Sequence, residues 1–158
     1  MAGQCFDCHT HLPTPHGLVN VTGKADAGDV PFISCGVHPW KSGDPENATQ
    51  VMVEVVDLTC EGRLQAIGEC GLDTRLCDVP LDVQVEWFTI QIGVSEQQRL
   101  PLIVHCVDQF EAVLRLRSET HATMPWVIHG FHGDVGLATR LIKAGCVPSF
   151  GRHLLQKE

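Results

Sequence analysis

The chain has 158 residues, of which 44% are hydrophobic and 19% are charged, and its mean hydropathy is +0.05. These values are typical of one globular domain and exclude a largely disordered chain. No apolar stretch approaches the roughly 20 residues that a membrane helix needs, and residues 1–10 lack the pattern of a secretory signal. We therefore expect a cytoplasmic protein. The net charge of −8 argues against a protein that neutralises many phosphates of a long nucleic-acid duplex.

The cysteines are numerous enough to form four disulfides, since the chain contains eight. Most of them lie in or beside apolar segments, as small core residues do in a reducing compartment. These are Cys5, Cys35, Cys60, Cys70, Cys77, Cys106 and Cys146. We therefore predict free thiols. Cys5 and Cys8 form a C-x-x-C pair, but one such pair within a strand is a weak signal for a zinc or redox site.

The first third of the chain predicts three strands, at residues 4–9, about 18–22 and 32–37. The stretch between the first and third strands is rich in proline and glycine, which leaves room for little or no helix. Asp44 is a plausible cap for the helix that follows, and Gly62 would end it.

From residue 64 onward, unbroken apolar runs alternate with segments of helical period. The runs predict strands buried on both faces, at residues 64–69, 101–106, 125–130 and 146–151. The segments predict helices over 84–99, after Asp108, and from Asp134 to Gly145. Because strand and helix alternate, we expect a parallel sheet, and because no linker interrupts the pattern, we expect a single domain over residues 1–158.

Each of the clearest predicted strands ends in a residue that can bind a metal ion. These residues are His9, His11, His38, Glu69, His105 and His129. His9 and His11 are separated by one residue, so in a strand both imidazoles would point to the same side. A histidine at the end of one strand is more often structural than a ligand. Even without His38, five such residues at four strand ends are harder to attribute to chance.

The chemistry of this set indicates a metal-dependent hydrolase. In α/β barrels the site is assembled at the carboxyl ends of the strands. Imidazoles with a carboxylate suit zinc, and with less certainty manganese or magnesium. Four imidazoles and one carboxylate are too many for one tetrahedral ion but suit two ions. Two divalent ions bridged by a carboxylate and a water are a standard apparatus for hydrolysing phosphoesters.

Six motifs occur in an order that resembles the TatD family of metal-dependent deoxyribonucleases and hydrolases. They are FDCHTHL, GVHPW, AIGECGLD, LPLIVHCVD, IHGFHGD and PSFG. The resemblance covers nearly the whole chain. It implies a TIM-barrel-like (β/α) parallel sheet and a hydrolase that cleaves DNA ends or small phosphodiesters, with two divalent ions (Zn, Mn or Mg) as cofactors.

The resemblance also implies a role for each strand-end residue. His9 and His11 would bind the first ion, Glu69 would bridge the two ions, and His105 and His129 would bind the second. Glu69 would therefore be a catalytic residue.

Four further residues are assigned by the same resemblance or remain open. His38 would lie at the pocket rim and touch the substrate phosphate as a second catalytic residue, and Asp73 would be a structural group or would support a ligand. Asp108 could either orient an imidazole or cap a helix. His132 stands where the family usually has serine, and we expect a solvated loop residue.

The carboxyl end departs from the family pattern. Nothing after Gly151 matches the E-T-D motif whose aspartate would bind the first ion. With seven predicted strands instead of eight, we expect an open barrel whose first and seventh strands have unpaired edges, in a fragment or a natural truncation with impaired activity. The oligomeric state is left open.

Two other functions remain as alternatives. One is an amidohydrolase that cuts amide or lactone bonds, although such a barrel would more often bridge its ions with a carbamylated lysine than with Glu69. The other is an inactive metal-binding fragment.

Overall fold

The computed structural model describes residues 6–151, which form one curled parallel sheet with helices on its outer side. The strands are β1 (Asp7–Thr10), β2 (Gly17–Val21), β3 (Ile33–Cys35), β4 (Leu64–Asp73), β5 (Leu102–Val107), β6 (Trp126–Ile128) and β7 (Cys146–Pro148). The helices are α1 (Lys24–Ala27), α2 (Pro45–Cys60), α3 (Leu81–Gln98), α4 (Phe110–Glu119) and α5 (Val135–Lys143), and a 3₁₀ turn spans Pro39–Lys41.

The strands follow one another in the sheet in chain order, and every pairing is parallel. This confirms the predicted (β/α) parallel sheet with seven strands. Within residues 6–151, β1 and β7 each pair on one side only. The sheet curls enough that Cys8 Sγ in β1 lies 2.9 Å from Ser149 Oγ, just after β7.

The helix starts follow the predicted caps. Asp44 Oδ1 accepts a hydrogen bond from Asn47 N at 3.1 Å, and Asp134 Oδ1 accepts one from Leu137 N at 2.7 Å. Each carboxylate therefore satisfies a backbone N–H that the helix itself leaves unpaired.

The structure differs from the predicted elements in detail. The short helix α1 lies in the loop-rich region where we expected little or no helix. Helix α3 begins at Leu81, after Pro80, three residues before the predicted start. Strand β4 continues to Asp73 instead of ending at residue 69, because β5 supplies hydrogen-bonding partners along that extension.

The apolar side chains of the strands divide between two faces with a period of two. The larger cluster, which includes Ile67 and Val104, packs against the helices. The smaller cluster contains Ala66 and Ile103 and includes no helix residue. Alternate residues of one strand point to opposite faces, so the smaller cluster marks the inner face of the curled sheet.

Seven cysteines in the described chain are free thiols, and Cys35, Cys70, Cys106 and Cys146 are the buried ones. Cys5 and the start of the first predicted strand lie outside the described residues. Among residues 6–151, no helix is long and apolar enough to cross a membrane.

Strand β4 passes unusually close to the backbone of β5 at Gly71. This glycine has a φ of +129°, and a Cβ added to it would lie 2.1 Å from the carbonyl oxygen of His105. Only a residue without a side chain allows this approach. The approach sets the spacing between the two strands that carry Glu69 and His105.

We predict that Gly71→Ala lowers the free energy of unfolding by at least about 2 kcal/mol, because the new methyl group collides with backbone that cannot move away cheaply. Gly93→Ala is the matched control, since Gly93 lies in α3 with no atom within 4 Å of an added Cβ. This control should stabilise the protein by about 0.5–1 kcal/mol through helix propensity. Urea unfolding measures both values, and equal effects would contradict the close approach.

Candidate metal centre

The buried carboxylate of Glu69 lies at the centre of the strand-end residues. Its Oε1 is 3.4 Å from His9 Nε2 and 3.8 Å from His105 Nδ1, and it contacts His129 Nε2. Its Oε2 lies 3.4 Å from His11 Nε2. Four imidazoles from β1, β5 and the segments after β1 and β6 therefore converge on one carboxylate.

The geometry of β4 explains why Glu69 faces this cluster. The pairing register of β4 with β5 shifts between Ile67 and Cys70, both of which pack on the helix side. One extra residue in that interval reverses the alternation of faces. Glu69 and Asp73 thereby point to the same side as His105.

His9 and His11 differ in exposure although they share one side of the chain. The His9 side chain is 8% exposed and that of His11 is 64% exposed. The His9 ring lies 4.4 Å from the His129 ring and 4.8 Å from the His11 ring, measured between centroids. The rings of His129, His9 and His11 therefore contact one another in a row. The row is buried at His9 and exposed to solvent at His11.

Asp73 holds the far side of the His105 ring. Its Oδ2 lies 3.0 Å from His105 Nε2 and accepts a hydrogen bond of 2.8 Å from Trp40 Nε1. Its Oδ1 accepts from the backbone N–H groups of Arg75 and Leu76 at 3.0 and 2.9 Å. Asp73 therefore leaves Nδ1 as the ring nitrogen that His105 directs towards Glu69.

Two buried glutamines, which the sequence patterns did not single out, fix the backbone around the site. Gln84 accepts from Asp73 N at 2.8 Å and donates to Asp73 O at 3.1 Å. Gln91 makes the same pair of bonds with Val37, at 2.8 and 3.1 Å. Both lie on α3 at positions seven residues apart. Their spacing places them on the same helix face as Phe88, and uncharged polar residues in phase with a buried aromatic residue are the signal that could have identified them.

His38 lies beside the cluster. Its ring centroid is 4.6 Å from that of His105, and its Nδ1 accepts a hydrogen bond from Trp40 N at 3.2 Å. A neutral imidazole that accepts at Nδ1 carries its proton on Nε2. His38 is therefore set up as a hydrogen-bond donor at Nε2.

Asp108 and His132 lie away from the cluster. Asp108 has a φ of +58°, its side chain is exposed, and its Oδ2 lies 3.7 Å from Arg75 Nε. The residue before α4 is Gln109, whose side chain makes no cap bond. This corrects the expectation for Asp108: the left-handed turn directs its carboxylate to solvent, and Asp73 takes the place beside His105. His132 contacts the carbonyl oxygen of Gly130 in an exposed loop.

The protonation of the cluster follows from burial and from the carboxylates. Burial lowers the pKa of His9 and of His38 to about 4, so both rings are neutral at pH 7. Burial would also lower the pKa of His105, but its hydrogen bonds to Glu69 and Asp73 raise that pKa above 6.5. Burial alone would raise the pKa of Glu69, and its contacts with His105 and His129 instead hold that pKa well below the usual range.

The donor atoms fit a divalent metal. Two groups of three residues have ligand atoms within 4.8 Å of one another, namely His9 with His11 and Glu69, and His38 with Glu69 and His105. Both ring nitrogens of His9 are buried without a hydrogen-bond partner in the described chain, and Nε2 of His129 contacts Glu69 Oε1 without the geometry of a hydrogen bond. Buried polar atoms are seldom left unpaired in native proteins, and a bound cation would satisfy those that face Glu69.

A family model described as TatD related DNase matches residues 5–158. The chain belongs to the TatD family. It is 30% identical over 124 residues to the uncharacterized metal-dependent hydrolase YabD of Bacillus subtilis, covering 78% of this chain and 48% of that protein. It is 31% identical over 147 residues to the uncharacterized metal-dependent hydrolase YcfH of Escherichia coli, covering 92% and 53%.

A third TatD relative carries a more specific name. It is the 3'-5' ssDNA/RNA exonuclease TatD of Rahnella, which is 34% identical over 106 residues, or 66% of this chain and 40% of that protein. The chain thus spans about half the length of the curated relatives that it matches.

The fold is that of solved TatD structures. A TatD family hydrolase from Entamoeba histolytica superimposes with a TM-score of 0.76 at 16% identity, over 95% of this chain and 65% of that one. The Escherichia coli homologue YJJV gives 0.73 at 20% identity, over 92% and 67%. The expected TIM-barrel-like fold and membership of a family of metal-dependent hydrolases and nucleases are both confirmed.

We predict that Asp73→Asn weakens zinc binding by roughly 10- to 100-fold, because partners that orient a metal-binding histidine typically contribute this much. Asp108→Asn is the matched control, since Asp108 contacts Arg75 and not an imidazole. The control should bind zinc like the wild type. Isothermal titration calorimetry measures both affinities, and equal losses in the two variants would contradict the role of Asp73.

The zinc affinity of the cluster should depend on pH through His105. The pKa of His105 is raised above 6.5, so a proton stabilises the metal-free cluster below that raised pKa and must leave before a metal can bind. We therefore expect zinc affinity to increase between about pH 6 and about pH 8, with net proton release that shrinks as the pH rises. Calorimetry in buffers of different ionisation enthalpy measures the release, and a pH-independent affinity would contradict this assignment.

Proposed function

We propose that the protein is a metal-dependent phosphoesterase that acts on nucleic-acid ends or small phosphodiesters with two divalent ions. The observation that carries the proposal is that the two oxygens of one buried carboxylate, Glu69, contact imidazoles from three strand ends, with His11 at Oε2 and His105 and His129 at Oε1. A carboxylate whose two oxygens face different imidazoles could bridge two ions, and paired divalent ions are a recurring apparatus for hydrolysing phosphodiesters.

The ligand assignment follows the positions around Glu69. In this proposal His9 and His11 would hold the first ion, Glu69 would bridge the two ions, and His105 and His129 would hold the second. The ligand atoms of His9, His11 and Glu69 lie within 4.8 Å of one another, and His105 and His129 both contact Oε1 of Glu69. Because His9 Nε2 also lies 3.4 Å from Oε1, the division into two pairs rests on the position of His11 at Oε2. When bound, the ions would supply Lewis-acid stabilisation of charge on phosphorus and activation of water. Nitrogen and carboxylate ligands suit zinc best, with manganese or magnesium as alternatives.

The remaining groups bind and orient the substrate. His38 donates from Nε2 to a phosphate oxygen, since Trp40 N occupies its Nδ1. Asp73 keeps the His105 ring in position through Nε2. A donor that is held in place before the substrate arrives needs no reorganisation as negative charge develops on the phosphate.

The proposed substrate class rests on the relatives and on charge. One relative is named as a single-stranded DNA and RNA exonuclease, and the net charge of −8 disfavours an extended duplex. A nucleic-acid end or a small diester brings only a few phosphates to the protein. The phosphate of the bond to be cleaved would bind at His38 and the metal ligands.

The role of the chain's carboxyl end stays a prediction, as do the single domain over residues 1–158 and the cytoplasmic location.

A cavity of about 460 Å³ between β1 and β7 is lined by His9, His129 and Ser149 among others. We propose that a further carboxylate, from outside residues 6–151, supports catalysis from this cavity. Without it, general-base help of typically ~10²–10⁴ in rate would be lost.

The alternatives are less well supported. An amidohydrolase acting on amides or lactones is disfavoured by the match to the TatD model and by a glutamate at the bridging position. An inactive metal-binding protein would share the same ligand cluster. Activity with metal supplied separates it from an enzyme.

We predict that purified protein binds two equivalents of zinc or manganese and hydrolyses bis(p-nitrophenyl) phosphate or a single-stranded oligonucleotide. Glu69→Gln should abolish both the second equivalent and the activity, because the amide cannot bridge two cations as a carboxylate does. Glu111→Gln is the matched control, since Glu111 is an exposed carboxylate paired with Arg140. Metal analysis and initial rates are the measurements, and full activity in Glu69→Gln would refute the proposal.

A further inference from the structure

Trp40 lies at the edge of the metal centre and is 49% exposed. It belongs to the 3₁₀ turn Pro39–Lys41 that follows His38. Its ring meets the rings of His38 and His105 edge to face, with centroid distances of 4.9 and 5.9 Å. The indole thus contacts two imidazoles of the site and still has a large part of its surface open to solvent.

The orientation of the indole is fixed by its polar edge. Trp40 Nε1 donates to Asp73 Oδ2 at 2.8 Å, and two backbone N–H groups hold the other oxygen of Asp73. Since the only polar group of the side chain is already paired, the surface that remains for a ligand is the apolar ring. A ring that is held in place before binding loses little conformational entropy when a ligand stacks on it.

A cavity borders the Trp40 ring, and none of the cluster imidazoles lines it. It has a volume of about 440 Å³ and is lined by Trp40, Leu76, Val79 and Pro80 among others. Its volume lies within the range of about 300–1,000 Å³ that is usual for small-molecule sites. Its described lining includes Asp78 and no basic side chain. The cavity therefore fits a flat, weakly polar group better than it fits a phosphate.

We propose that Trp40 is the surface on which an unpaired nucleobase of the substrate stacks while the adjoining phosphodiester lies at His38 and Glu69. The proposal rests on the proposed function and adds to it the residue that recognises the base, since a single-stranded substrate is already named for the TatD relative of Rahnella. A base inside a duplex is covered by its neighbours and would first have to unstack, whereas an unpaired base has a free face. Aromatic side chains beside a phosphate-binding site are the usual partners of such bases.

A purely structural role for Trp40 makes different demands on the side chain. Such a role would use Nε1 to hold Asp73 and would not use the exposed ring. Trp40→Phe removes the N–H and keeps an aromatic face, whereas Trp40→Leu removes both. Stacking therefore predicts that the phenylalanine variant retains recognition, and the structural role predicts that both variants lose it equally.

The first experiment measures binding without catalysis. Zinc-loaded protein is titrated with thymidine 5′-phosphate, which contains no phosphodiester, and with ribose 5-phosphate while tryptophan fluorescence is recorded. We expect quenching by the nucleotide, little quenching by the sugar phosphate, and no quenching in Trp40→Leu. Equal quenching by both compounds, quenching that persists in Trp40→Leu, or none in the wild type would overturn the proposal.

The second experiment measures rates with metal-loaded protein on a single-stranded oligonucleotide and on the same oligonucleotide with abasic terminal nucleotides. Trp40→Leu should raise KM for the normal end by roughly 5- to 100-fold and change it less than about twofold for the abasic end. Trp40→Phe should stay near the wild type. Phe32→Leu is the matched control, because Phe32 is an exposed aromatic residue before the start of β3, at the opposite end of the strands.

The outcomes separate the two proposals. If Trp40→Phe and Trp40→Leu lose the same rate on both oligonucleotides, Trp40 acts only through Asp73 and the stacking proposal is wrong. If wild-type protein hydrolyses neither oligonucleotide, the proposed function fails, and the fluorescence titration alone decides whether Trp40 binds a base.

Discussion

The negative charge of Glu69 is buried at the end of a sheet whose neighbouring strands present imidazoles to it. A carboxylate that is 5% exposed has lost nearly all of its hydration, which costs several kcal/mol unless positive charge or hydrogen bonds compensate. Its contacts with His105 and His129 provide part of that compensation, since they hold the pKa of Glu69 well below its usual range. Glu69 and Asp73 raise the pKa of His105 and so favour a positive charge beside the carboxylate, which is the charge that a divalent cation would supply.

Asp73 links the metal centre to the surface beside it. The same carboxyl oxygen contacts His105 Nε2 and accepts from Trp40 Nε1, so a single buried group sets the orientation of an imidazole and of an exposed indole. Gln84 in turn anchors the backbone of Asp73 to α3. The chemistry attributed to the imidazole and the recognition attributed to the indole therefore depend on one rigid support, which the helix packing stabilises.

The strand and helix pattern was predictable because local signals agreed with the tertiary structure. Asp44 and Asp134 cap helices in the structure as their positions in the sequence indicated. Boundaries were less predictable where partners far along the chain decide them. Strand β4 continues to Asp73 because β5 pairs with it along that length. Neither the apolar residues 64–69 nor Gly71 indicates this pairing in the local sequence.

Which side chains can bind metal, and that they follow parallel strands, could be predicted from the sequence because ligand chemistry and the strand pattern are both local. The directions in which those side chains point depend on contacts between distant segments. The register shift between Ile67 and Cys70 turns Glu69 and Asp73 to the face of His105, and a regular strand would have left them on the helix side. Asp73 and not Asp108 contacts His105 for the same reason. The direction of each side chain depends on backbone geometry, which residue type does not specify.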